Sequence, residues 1–288
     1  MAPLFTAFRM AFGRATAAAA AGPFSATGGT KSTPGDGYIY HAYPHSNWTS
    51  QPNFTFEVAG TSGDPVVDTS CQIMCTGAGG GGGGGKPGGS NQSGGQGGAG
   101  AATGYWTVPI TKAGEYYVTT SGGGDPGPDY AQSPSDVQGG PAKFWEGPLL
   151  APAPTAKKVE AGAGTGGSWE PEQPQNPSSG GTNTTSWSGA SIVDDLAGEA
   201  GQNGGGNNPG AGGRAGGYDN PTKWWYPYLA PGDRGQGRPH GQPQTNPPAP
   251  NYGGGGAGGQ GGFDGPGEAG AGGAGPPAGS VVIIRYSA

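Results

Sequence analysis

The thiols and imidazoles are few: Cys71 and Cys75, with His41, His45 and His240. Cys71 and Cys75 stand four apart in "VVDTSCQIMC", which alternates as a strand. At about 3.3 Å of rise per residue their Cα atoms are about 13 Å apart, beyond disulfide reach, so two free buried thiols are expected. No other His or Cys joins them at ligand spacing, and His41 and His45 flank Pro44 rather than share a helical turn, so no metal site is expected. Asp194, Asp195 and Glu199, in "SIVDDLAGEA", could hold a cation; a short solvated acidic helix is the simpler reading. The stretch Gly80 to Pro87 nearly matches a phosphate loop, with Gly80, Gly85 and Lys86 in place. Pro87 cannot supply the hydroxyl that holds magnesium, and polyglycine produces such matches by composition alone. There is no G-x-S-x-G elbow and no supported Ser-His-Asp set. The sequence therefore predicts no catalytic residue, no cofactor and no enzyme.

Aromatic segments are the remaining chemical signal. "KWWYPYL" concentrates Lys223, Trp224, Trp225, Tyr226 and Tyr228, and "KFWEGPLL" adds Phe144 and Trp145. Large rigid amphipathic side chains are enriched at interfaces and can stack on sugars. These seven residues are candidates for receptor contact. Alternatively, they cap the glycine-rich segments or pack on neighbouring subunits, supplying side chains that those segments lack.

The elements that must carry these residues are unusual. The chain holds 68 glycines and 30 prolines, 98 of its 288 residues, a proportion that normally signals disorder. Seven glycines run without a break from Gly79 to Gly85. Ordering them costs on the order of 10 kcal/mol of backbone entropy, and no side chain is present to offset it. Main-chain hydrogen bonds could. A polyproline II rod has three residues per turn and no internal hydrogen bonds, so its amides are free to pair sideways with neighbouring rods. The glycine spacing is too irregular for a collagen helix. Expected rods are Gly77–Gly100, Gly162–Gly167, Gly204–Gly217, Gly253–Gly262 and Gly265–Gly279.

Five strands frame these rods. "NFTFEVAG" alternates Phe54, Phe56 and Val58; "VVDTSCQIMC" follows; Tyr105–Ile110 and Glu115–Ser121 are joined by the turn "TKAG"; and "VVIIRYSA" closes the chain. Residues 1–22 form an expected short helix with Phe5, Phe8 and Phe12 on one face and Leu4 beside them, ended by Gly22-Pro23. A targeting peptide is the competing reading. As a helix it would be a docking segment, the alternative being a helix folded back onto its own domain; an extended arm (23–52) carrying Tyr38, Tyr40, Tyr43 and Trp48 follows, and then a glycine-rich domain (53–288). The net charge of −6, with 11% charged residues, leaves no basic face for nucleic acid, and no apolar run approaches the roughly 20 residues of a membrane span.

The order "QIMCTGAGGGGGGG", "YWTVPITKAGEYYVTTSGGG", "GPPAGSVVIIRY" resembles the glycine-rich domains of bacteriophage tail-fibre and other virion proteins, over roughly Asn53 to Tyr286. The resemblance implies a mainly β fold: a small antiparallel β-sandwich carrying a polyglycine II (polyproline II-type) bundle. It also implies a non-enzymatic virion appendage at the particle surface. Expected partners are other virion proteins through Leu4, Phe5, Phe8 and Phe12, further copies of the chain, and a host surface glycan or outer-membrane protein. Alternatives are a head-decoration or tail-connector protein, and a secreted glycine-rich structural or ice-binding protein.

Overall fold

The computed structural model describes residues 24–45, 53–82, 96–124, 138–147, 157–167, 179–203, 211–217, 219, 222–225, 252–254 and 279–288. The expected N-terminal helix, with Leu4, Phe5, Phe8 and Phe12, lies outside them, as do Tyr226, Tyr228, His240 and Lys86. Among the described residues the fold is mainly β and contains no helix. In chain order the strands are β1 (Ala26–Thr27), β2 (Thr30–Ser32), β3 (Tyr38–Pro44), β4 (Asn53–Val58), β5 (Pro65–Thr76), β6 (Thr103–Lys112), β7 (Gly114–Thr119), β8 (Ala142–Glu146), β9 (Lys157–Ala161), β10 (Asn183–Thr185), β11 (Ser191–Leu196) and β12 (Val281–Ser287). They build two six-stranded sheets, ordered β1-β4-β7-β8-β9-β10 and β11-β6-β5-β12-β3-β2, in which every pairing is antiparallel.

Both sheets send alternate side chains into one core. Phe56, Val118, Phe144 and Val159 come from the first sheet; Cys71, Ile73, Trp106, Val108, Val282 and Ile284 come from the second. Each is fully buried, which stabilises the fold by about 2 kcal/mol per large side chain. Phe144 anchors an aromatic stack, 5.8 Å from Tyr116 and 5.4 Å from Trp187 between ring centres.

Several expectations need correction. The residues around Tyr38 to Tyr43 are no linker: "YIYHAY" is β3, held between β12 and β2. Its alternation places His41 and Tyr43 in the inter-sheet region and Tyr40 on the opposite face. Strands are not confined to the chain's ends, because β8 to β11 lie between the glycine-rich segments. "SIVDDL" is strand β11 rather than a helical turn, as its β-branched Ile192 and Val193 favour. "TKAG" does not close a pair either, since β6 and β7 belong to different sheets. Gly114, at φ +127°, carries the chain from one sheet to the other.

Strands run directly into glycine-rich segments at one end of the sheets: β5 into 77–82, β7 into 120–124, β9 into 162–167 and β11 into 197–203, while 96–102, 138–141 and 179–182 lead into β6, β8 and β10. Gly97–Ala102 lies at their centre. Its amides donate to Gln202 and Glu199 (from Gly97 and Gly100), to Thr165 and Gly162 (from Ala99 and Ala102) and to Gly253 (from Ala101), at 2.8 to 3.0 Å. Its carbonyls accept from Gly213 and Gly216 (at Gly98 and Ala101), from Gly80 and Gly77 (at Ala99 and Ala102) and from Gly181 (at Gly100), at 2.8 to 3.2 Å. Partners in one neighbouring segment thus recur at every third residue, and six segments surround this one.

Glycine is required at such contacts because the backbones touch. A Cβ at Gly98 would fall on the carbonyl of Gly80, and one at Gly100 on the carbonyl of Arg214. Ala99, Ala101 and Ala102 are fully buried between the same neighbours, so methyl groups fill the sites that tolerate them.

Candidate functional site

Lys223, Trp224 and Trp225 are the sequence-predicted contact residues that come together with a charged and aromatic surface. They lie on the outer face of the second sheet, away from the shared core. The floor is a second apolar cluster: Tyr40 from β3, Met74 from β5, Tyr105 from β6, and Val281 and Ile283 from β12, with Trp225 buried against it. Trp225 packs 5.2 Å from Tyr105, and Trp224 lies 5.7 Å from Tyr105 and 5.8 Å from Tyr40. The two indoles meet edge to face at 5.6 Å.

One cation organises the surface. Arg285 sits in β12 directly between Gln72 of β5 and Tyr40 of β3 in register. Its Nε donates to the Gln72 amide oxygen at 2.5 Å and a terminal nitrogen to the Tyr40 hydroxyl oxygen at 3.3 Å. The guanidinium also lies 3.9 Å from the Trp224 ring centre and 4.3 Å from that of Tyr38, a cation–π arrangement. The Tyr40 hydroxyl donates to Asp36, and that bond holds the Asp36 carboxyl below its ordinary pKa. Burial pushes the Tyr40 and Tyr105 hydroxyls up. At the other end Lys223 donates to both carboxylate oxygens of Asp194, at 2.7 and 2.8 Å, and lies 5.7 Å from the Trp225 ring centre.

The remaining candidates go elsewhere. Phe144 belongs to the inter-sheet core, fully buried. Trp145, its neighbour, points to the other face of β8 and is 1% exposed, 5.7 Å from Tyr117. Neither presents a ring to solvent, so the packing alternative fits both. Asp194 is occupied by Lys223, and Asp195 accepts from Asn183 at 2.8 Å. Among the described residues no group of three His, Cys, Asp or Glu side chains could hold a metal ion. Cys71 and Cys75 are free, buried thiols, as expected, and burial pushes both pKa values up.

His41 is fully buried. Its Nδ1–H donates to the Gly28 carbonyl at 2.6 Å, leaving Nε2 to accept from the Tyr286 hydroxyl at 3.4 Å. The Tyr286 oxygen in turn accepts from the Ala26 amide at 3.1 Å. Desolvation lowers the His41 pKa, outweighing the bond to Gly28. This imidazole fastens the β1–β2 crossing to the last strand.

Sequence reasoning missed Tyr38, Tyr40, Tyr105 and Arg285 as partners of the tryptophans. The signal was present in the period of two: Tyr38 and Tyr40 fall on one face of β3, and Arg285 shares a face with Val281 and Ile283. What this arrangement can do chemically is bind or hold by stacking and charge. No family model matches the chain, and no curated protein matches it.

Proposed function

We propose that this chain is a non-catalytic structural protein of a bacteriophage particle, a tail-fibre or adhesin-like appendage. Its two sheets act as a small β-sandwich, and the glycine-rich segments extend it as a polyglycine II bundle. The observation that carries the reading is the enclosure of Gly97–Ala102 by six segments with partners at every third residue, the repeat of a polyproline II rod. Such a body is stiff with little apolar filling.

The same geometry suits display. Gly167 donates to Gly81, Thr165 to Ser179, Gly97 to Gln202 and Gln202 to Ala211, which brings the parts of these segments farthest from the strands together. The proposed display of variable loops uses that end, where sequence can change without disturbing the core. The resemblance to phage glycine-rich domains supplies the viral part of the reading. The particle surface is the proposed location, residues 1–22 the proposed docking segment, further copies the proposed neighbours, and a host glycan or outer-membrane protein the proposed target.

The test is competition. Purified chain added to host cells should reduce adsorption of the phage that carries it. Unchanged adsorption at saturating protein, with the chain located on the head or between tail parts by gold labelling, would favour decoration or connection instead. Absence from purified particles would remove the viral reading.

A further inference from the structure

The β1–β2 crossing closes one edge of each sheet at once. β1 ends the first sheet beside β4, and β2 ends the second beside β3. Gly28 and Gly29, at φ +111° and +58°, turn the chain between them. The main-chain pairing is short: two register positions hold β1 and three hold β2, and Thr30, Lys31 and Ser32 are all exposed.

Side chains anchor the crossing from beneath. Phe24 packs edge-on against Tyr286 at 4.7 Å. The Ala26 amide donates to the Tyr286 hydroxyl oxygen, and the Gly28 carbonyl accepts from His41 Nδ1–H at 2.6 Å. The Tyr286 hydroxyl in turn donates to His41 Nε2, which requires a neutral imidazole. A proton on Nε2 turns that acceptor into a donor, and the hydroxyl hydrogen loses its partner in the network. Nor do the groups facing His41 offer a counter-charge. From β2, Lys31 stands opposite it in register and opposes its protonation. From β12, Tyr286 is kept neutral by burial, as is Cys71 of β5 beside it. From β4 comes the Phe56 ring at 5.3 Å, and Tyr43 along β3 is a buried neutral hydroxyl that donates to the Thr55 carbonyl. An imidazolium here must therefore reach water. Opening the crossing is the cheapest route, because it uncovers the ring while breaking few main-chain bonds.

We propose that residues 25–32 are an acid-released strap: when His41 takes a proton they detach from β3 and β4, and the rest of both sheets stays folded. Release bares an edge strand in each sheet. Hydrogen exchange of the full chain, read by mass spectrometry and corrected for the intrinsic pH dependence of exchange, tests this between pH 7.5 and pH 5. Protection of 25–32, and of the Ala59 amide that donates to Ser25, should fall by up to about tenfold per pH unit below the ordinary imidazole value of 6.5, while β5 and β6 keep theirs. Unchanged protection of the strap at pH 5, or a parallel loss in β5 and β6, overturns the proposal. His41→Asn should abolish the acid-induced loss; a loss equal to the parent's overturns the proposal as well. If that variant leaves the strap open already at pH 7.5, carbon-13 shifts of the His41 ring in the parent chain decide. A protonated imidazole under a protected strap overturns the proposal, and protonation only where protection is lost supports it.

Discussion

The guanidinium of Arg285, in the last strand, lies 3.9 Å from the centre of the Trp224 ring. Gln72 and Tyr40 hold it from the two flanking strands, so a single side chain ties 222–225 to β3, β5 and β12. Arg285→Ala should cost about 1–3 kcal/mol, from lost stacking and from polar partners left unmatched. Arg285→Lys should recover only part of that, because a point charge cannot both stack and fork. Urea unfolding followed by tryptophan emission measures both. Equal stability of Arg285→Ala and the parent chain would show that the stack does not hold Trp224.

Glycine and alanine in the central segment should not be interchangeable. Gly100→Ala places a methyl on the Arg214 carbonyl, which is backbone and cannot swing away. A loss of more than about 3 kcal/mol, or failure to fold, is expected. Ala99→Gly removes a buried methyl without a clash and should cost about 1 to 2 kcal/mol, part cavity and part chain entropy. If the two substitutions cost the same, the close backbone contact at Gly100 has no energetic role.

What the sequence disclosed follows from locality. Phe54, Phe56 and Val58 alternate without interruption, and β4 stands where that pattern lies. Cys71, Ile73 and Cys75 share the core face expected of one strand. The strands that escaped mix charged or polar residues with their apolar ones. In β3 the inward position between Ile39 and Tyr43 is His41, tolerable only because Gly28 and Tyr286 complete its hydrogen bonds. In β8 and β9 the outward positions are charged: Lys143 reaches Glu160 across the sheet, and Lys158 pairs with Glu160 along β9. The tryptophan site was legible only in part: the period of two places Tyr38 and Tyr40 on one face of β3. The site joins them to Tyr105 and Arg285, and that adjacency depends on β12 inserting between β3 and β5, a pairing that no local pattern encodes.

The thiols give a probe of global opening. Cys71 and Cys75 are fully buried in the inter-sheet core, and burial holds both in the unreactive protonated form. An aromatic disulfide reagent should therefore react negligibly with the native chain at pH 8 and with both thiols after unfolding. The native labelling rate should rise with denaturant as the global opening rate or population does. Rapid native labelling of either thiol would mean that the sheets separate locally near β5.

His41 makes stability depend on mildly acidic pH. In the unfolded chain an imidazole takes its proton near the ordinary value of 6.5; in the folded chain burial, helped by the Lys31 charge on the adjacent strand, lowers that value. The unfolded state then binds more protons as pH falls below 6.5, so stability declines with falling pH. The contribution is complete above the unfolded value and is lost as pH falls through the folded one. Its slope reaches at most about 1.4 kcal/mol per pH unit. Carboxylates contribute mainly at lower pH, so the interval from pH 7 down to pH 5 isolates the imidazole. His41→Asn keeps a donor for the Gly28 carbonyl but cannot titrate, and should flatten the stability profile over that interval while lowering stability overall at pH 7. Equilibrium denaturation at half-unit steps measures the two slopes. If they coincide, the fastening of β1–β2 to Tyr286 does not depend on a neutral imidazole.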